Sequence, residues 1–103
     1  MSTAYFHDPG SDDTAATRTV TAVPNVIHEI DGIYWSYDAS PTAGNLTVAS
    51  PSGTTIFELD ITAAGPGSVL FPSGLRGAES QAVIVTLAAG DTDVDGLLNF
   101  IVR

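Results

Sequence analysis

From Thr17 onward, hydrophobic and polar positions alternate with the two-residue period of an extended strand. The cleanest run is Thr54 to Thr62, where Phe57, Leu59 and Ile61 share one face and Glu58 and Asp60 the other. Successive side chains of a strand point to opposite sides, so such a run buries one face and wets the other. Further runs stop at residues that disfavour strands. Thr17–Val23 stops at Pro24-Asn25, Val26–Tyr37 at Asp38 to Gly44, and Leu46–Ser50 at Pro51-Ser52-Gly53. After the breaker cluster Ala63–Gly67, Ser68–Phe71 is short and closes at Pro72-Ser73-Gly74. Gln81–Leu87 and Val94–Val102 finish the chain around a turn at Gly90. No stretch sustains the i, i+3, i+4, i+7 spacing of a helix, and a single turn over Leu75–Ser80 is the most that the pattern allows. The pattern predicts an all-β fold: one antiparallel β-sandwich, jelly-roll or immunoglobulin-like, of about seven strands. Phe57, Leu59, Ile61, Val83, Val85 and Leu87 are expected inside, with Glu58 and Asp60 outside.

Two departures from simple alternation carry information. In Val26–Tyr37, Glu29 and Asp31 belong outside, a phase that would also expose Ile33, Trp35 and Tyr37. One extra residue at Asp31-Gly32 flips the side chains that follow, so a β-bulge is expected there. In the last two strands both faces are apolar. Ile84 opposes Val83, Val85 and Leu87, and Leu97 and Ile101 oppose Leu98, Phe100 and Val102. A sandwich strand needs only one apolar face, so a second must be covered by another segment or another subunit.

Residues 1–16 lack either period and hold Tyr5 and Phe6 as their large apolar residues. They read as an extended N-terminal arm preceding a sandwich domain over 17–103, either a frayed terminus or an arm whose Tyr5-Phe6 pair docks on a neighbouring subunit. The candidate interface is therefore Tyr5, Phe6, Ile84, Leu97 and Ile101.

Composition narrows the function. The 103 residues are the size of one domain, and 44% are hydrophobic, enough for a core. Twelve Asp and Glu face three Arg and no Lys, for a net charge of −9. Such a surface repels phosphate, which argues against nucleic acid and anionic membrane as partners. The absence of Cys excludes disulfides, thiolate nucleophiles and cysteine-based zinc sites. No basic region precedes an apolar run as in a secretory signal, so the Asn45-Leu46-Thr47 sequon reads as chance.

No motif amounts to catalytic machinery. Asp91-Thr-Asp-Val-Asp-Gly96 matches the first half of a calcium loop, with carboxylates at Asp91, Asp93 and Asp95. Val102 stands where the bidentate Glu belongs, so the segment reads as a solvated hairpin turn that needs no calcium. His28 lies on the opposite strand face from Glu29 and Asp31, which prevents a shared metal. The serines sit in turns, with no Gly-x-Ser-x-Gly elbow. Glu58 and Asp60 are spaced as glycoside chemistry uses carboxylates, but nothing near them raises a pKa. Tyr34, Trp35 and Tyr37 are either large core residues of the long central strand or a stacking platform for sugar rings. No catalytic, cofactor or metal residue is assigned, and the expectation is a protein that is not an enzyme.

Three stretches carry a resemblance: Ile30–Tyr37, Phe57–Gly67 with Phe71–Gly77, and Val85–Gly90 with Leu98–Val102. Over about residues 20 to 103 the chain resembles the small β-sandwich structural proteins of tailed bacteriophages, of the head decoration or cement type. That family carries no catalytic residues. The resemblance implies a virion protein, made in the host cytoplasm, whose partners are the major capsid protein and copies of itself in a homo-oligomer such as a trimer. A tail or fibre component is one alternative, and a carbohydrate-binding module using Tyr34, Trp35 and Tyr37 is another.

Overall fold

The computed structural model describes residues 4–8, 15–42, 44–89 and 94–103. Among these residues no helix forms, and eight strands do, one more than the alternation predicts. They are β1 (Ala4–Asp8), β2 (Ala16–Val20), β3 (Glu29–Tyr37), β4 (Gly44–Ala49), β5 (Thr55–Ile61), β6 (Gly65–Arg76), β7 (Val83–Leu87) and β8 (Gly96–Val102). Two antiparallel four-stranded sheets, ordered β1-β8-β3-β6 and β2-β7-β4-β5, stack into a jelly-roll-like sandwich. In the stack β1 lies beside β2 and β7 beside β8. At the far side the edge-to-face pair of Phe57 and Phe71, centroids 5.0 Å apart, joins β5 to β6.

The core follows the alternation. Ile30, Ile33, Trp35, Tyr37, Leu98, Phe100 and Val102 point inward from the first sheet, and Leu46, Val48, Ile61, Val83, Val85 and Leu87 from the second. Each such side chain taken from water contributes about 1.5–3 kcal/mol. The bulge expected at Asp31-Gly32 is present. The register of β3 against both β6 and β8 shifts between Ile30 and Gly32, and Ile33, Trp35 and Tyr37 are thereby buried. Gly67 makes room for the indole, since a Cβ there would lie 2.5 Å from Trp35 Cζ2.

Several expectations are corrected. Ala4–Asp8, read as part of an extended arm, is an edge strand of the first sheet, paired with β8 from Ala4↔Val102 to Asp8↔Leu98. Phe6 stacks on Phe100 of its own chain at 5.1 Å between centroids, so the arm's phenylalanine is a core-packing residue. The signal was missed because a five-residue edge strand gives too few positions to establish a period. The segment from Gly65 to Arg76 is one long strand, in which Pro66 and Pro72 are tolerated because β6 is a sheet edge. That strand takes up the place of the expected helical turn at Leu75. Phe57 and Leu59 are half-buried rather than buried, because β5 is the other sheet's edge, whereas Glu58 and Asp60 are exposed as expected.

Candidate functional site

The outward positions of the first sheet form a grid fixed by strand register. One row runs Tyr5–Ile101–Gly32–Leu70, the next His7–Asn99–Tyr34–Ser68, and the third Leu97–Ser36–Pro66. None of the positions in these three rows holds Asp, Glu, Lys or Arg, on a chain of net charge −9; charged groups stand beyond the first row, at Glu29, Asp31, Arg76 and Arg103. Tyr5 is 77% exposed, Leu70 62%, Leu97 41% and Tyr34 37%, so a set of large apolar side chains stands open on one sheet face. Monomeric soluble proteins seldom leave such a contiguous apolar face uncovered without a use for it.

Local packing shapes the face around Tyr34. The bulge turns Gly32 and Tyr34 to the same side, and the tyrosine lies across the glycine. A Cβ on Gly32 would meet Leu70 Cδ2 at 3.0 Å and Tyr34 Oη at 3.3 Å. Tyr34 stands between two shallow hollows. One is lined by Leu70, Phe71, Pro72, Ile101 and the Asp31–Arg103 pair, the other by Ser36, Pro66, Ser68, Leu97 and Asn99. His7 Nδ1 and Asn99 Oδ1 meet at 2.7 Å between β1 and β8. At the rim Arg103 binds Asp31 Oδ1 through Nη2 at 2.7 Å and Nε at 3.0 Å, and its Nη2 lies 3.4 Å from Glu29 Oε2. The hydrogen bond to Asp31, then the charges of Asp31 and Glu29, raise the Arg103 pKa, so the guanidinium stays charged beside its carboxylates.

The structure gathers some of the sequence-assigned interface residues and separates others. Tyr5, Leu97 and Ile101 share this face. Phe6 points into the sandwich, and Ile84 lies half-buried on the opposite outer face, among Thr19, Thr86 and Ala49. The aromatic trio is split: Trp35 and Tyr37 are buried, and Tyr34 alone reaches the surface. The Tyr37 hydroxyl donates to Ala88 O at 2.6 Å. Burial raises the Tyr37 pKa, with an opposing contribution from the Asn45 backbone N–H. Leu70 was not legible as a face residue, because its orientation depends on how far β6 extends and on the register jump opposite Ile30–Gly32.

Other candidate chemistry resolves into structure. His28 is buried with Nε2 2.9 Å from Thr21 O. Ser50 is also buried, its Oγ donating to Ala82 O and accepting from Ala78 N. Asn45 Nδ2 donates to both Glu58 and Asp60, at 3.3 and 3.0 Å. Among the described residues, no group of three or more His, Asp or Glu is placed to hold a metal. Asp91 and Asp93 of the turn sequence lie outside the described residues, and the Asp95 backbone N–H donates to Asp38 Oδ1 at 2.8 Å.

Neither a protein-family model nor a curated protein matches the chain in sequence. Similar folds do occur among solved structures. A capsid structure of Helicobacter pylori bacteriophage KHP30 is 12% identical over 98% of this chain and 90% of that chain, with a TM-score of 0.53. The carbohydrate-binding module CBM36, in complex with calcium and xylotriose, is 13% identical over the whole of both chains, with a TM-score of 0.52. A Bacillus endospore appendage subunit is 12% identical over 99% of this chain and 84% of that chain, with a TM-score of 0.51. At these identities the likeness is one of fold: the chain shares its β-sandwich with a phage capsid protein, a sugar-binding module and a pilus-forming subunit.

Proposed function

We propose that this chain is a non-enzymatic structural subunit of a phage virion, a decoration or cement protein that seats the outer face of its first sheet on the capsid. The observation that carries the reading is the apolar face of Tyr5, Tyr34, Leu70, Leu97 and Ile101, whose rim carboxylate Asp31 is paired with Arg103, on a chain of net charge −9. An acidic surface keeps free subunits apart and soluble, and the neutral face is where a partner approaches without like-charge cost. The partner is a protein surface of apolar and neutral or basic groups, such as the major capsid protein presents in a shell. Likeness of fold to the KHP30 capsid structure is compatible with this role and equally with a tail or fibre position. Purified particles of the phage that carries this gene, analysed by peptide mass spectrometry and cosedimentation, test it. The chain is expected in heads, and its absence from every particle fraction would refute the proposal.

A second reading is favoured by one local feature, the tyrosine ring laid across Gly32 between two hollows edged by Asn99, Ser36 and Ser68. An exposed aromatic with amide and hydroxyl groups around it suits a sugar ring, and a xylotriose-binding module shares the fold. The buried Trp35 and Tyr37 take no part. Titration with xylotriose separates the readings: binding that is lost in Tyr34→Ala favours the carbohydrate module, and no binding leaves the virion role.

A further inference from the structure

The four sheet edges are not equally protected. Edge strands expose unpaired backbone groups, and proteins blunt them with prolines, charges and bulges. On one side of the sandwich both edges carry such guards. β6 holds Pro66, Pro72 and a register jump opposite Ile30–Gly32, and β5 holds exposed Glu58 and Asp60 and a shift opposite Val48/Ala49. On the other side, β2 has its Thr17 N–H taken by Asp8 Oδ2 at 3.0 Å and Arg18 in its centre. β1 lacks a proline, a bulge and a central charge: it runs in unbroken register along β8, and its one Asp, Glu, Lys or Arg is Asp8, at its last position. Among the described residues, no strand pairs with its other side.

We infer that β1 is a strand-addition edge for a second copy of this chain: two β1 strands pair antiparallel about a two-fold axis at Phe6, joining two four-stranded sheets into one. The inference does not depend on what covers the outer face. The sequence of the edge is self-complementary in this register. Tyr5 falls opposite His7 of the second copy, on the outer side, Phe6 opposite Phe6 on the inner side, and Ala4 opposite Asp8. An isologous contact needs that symmetry, and aromatic cross-strand pairs are among the favourable ones. Charge selects the same place. Two chains of net charge −9 repel, yet the one carboxylate of β1, Asp8, falls at the ends of the contact and accepts from the Thr17 N–H, and Arg18, one of only three cations, sits beside the strand with its guanidinium 5.8 Å from the Phe6 ring centre. A five-residue strand pair covers well under the roughly 800 Å² per partner of a stable complex, so the association is weak and concentration-dependent. Because net charge opposes it, salt strengthens it. Pairing also sets the outer faces of both first sheets side by side, which widens the neutral surface.

Sedimentation equilibrium of the full chain, from about 10 μM to 1 mM and in roughly 0.05 and 0.5 M NaCl, tests the inference. A monomer–dimer equilibrium that shifts toward dimer with concentration and with salt is expected. Tyr5→Lys sets a cation against His7 of the other copy and adds an edge guard, and weakens association about tenfold. Tyr5 is 77% exposed, so this change spares the fold, which circular dichroism checks. Adding His7→Glu to Tyr5→Lys places opposite charges across the two-fold twice and restores the dimer. Leu70→Glu, on the outer face away from β1, leaves it unchanged. A wild-type monomer under every condition, a double variant as weak as the single, or loss of the dimer in Leu70→Glu would overturn the inference, the last by assigning association to the outer face.

Discussion

The two outer faces of the sandwich are built from the same backbone geometry and end in opposite chemistry. That of the first sheet presents Tyr5, Tyr34, Leu70, Leu97 and Ile101 with neutral polar neighbours. That of the second presents the row Thr17–Thr86–Thr47–Glu58, with Asn45 bridging Glu58 and Asp60. The second face satisfies itself: its threonines are short, β-branched and wettable, and its carboxylates keep other surfaces away. The first face leaves apolar area in water, as interaction faces of proteins do. Sidedness in this molecule is therefore a property of its outer layers, since both sheets contribute equally well-buried side chains to the shared core.

That equality is the first thing to break. Leu98→Ala in the first sheet and Leu46→Ala in the second, both fully buried, are each expected to cost about 2–5 kcal/mol in denaturant unfolding. A loss below about 1 kcal/mol at either would show that one sheet contributes less to the core than its burial implies.

The faces themselves separate next. On the proposed virion role, Leu70→Glu combined with Tyr34→Glu should lower particle binding by about a hundredfold, roughly 2.7 kcal/mol, while unfolding free energy moves by no more than about 0.5 kcal/mol. Thr47→Glu on the second face should leave binding unchanged. Its only effect is a few tenths of a kcal/mol from the like charge opposite Glu58. Equal losses of binding on both faces, read by cosedimentation, would end the distinction.

A sharper version of the contrast runs along one strand, where Tyr34 faces out and Tyr37 faces in. Tyr37→Phe strands the Ala88 carbonyl and should cost about 1 kcal/mol at neutral pH. Burial holds the folded phenol above its ordinary pKa of 10.0, so the folded state binds this proton more tightly than the unfolded chain does. That stabilisation is complete below pH 10 and is lost as pH rises through the folded-state pKa. Alkaline melting curves should fall above pH 10 in the wild type and flatten in Tyr37→Phe. Tyr34→Phe, at an exposed ring, should change stability at neutral pH by no more than about 0.5 kcal/mol.

The smallest effect is expected at Gly32→Ala. The added Cβ meets only the flexible ends of Leu70 and Tyr34, at 3.0 and 3.3 Å, so stability should change by less than about 1 kcal/mol. The tyrosine ring must tilt, and any ligand stacked on it should bind less tightly in a calorimetric titration.

Much of this architecture is written locally in the chain. Period-two alternation, turn residues and the scarcity of helix formers specify an all-β sandwich, and the phase conflict in Glu29–Tyr37 requires the bulge that β3 contains. The same reasoning marked Leu97 and Ile101 as apolar residues on the wrong side of their strand. It failed at the edges: Ala4–Asp8 became β1, Gly65–Arg76 became one long β6, and Phe57 and Leu59 ended half-covered. Each failure has one cause. Whether a strand is central or at an edge is settled by which strands lie beside it, and no local pattern holds that information.

The sequence by itself determined the strand period, the inward and outward sets of most strands, and the acidity of the surface, because each follows from neighbouring residues and their side chains. Only the tertiary structure decided that Tyr5, Tyr34, Leu70, Leu97 and Ile101 share one face, that Phe6 closes the core on Phe100, and that β1 is an edge strand of the first sheet. These residues come from four strands drawn from both ends of the chain, and the β1-β8-β3-β6 order that aligns them exists only once long-range pairing has set the register.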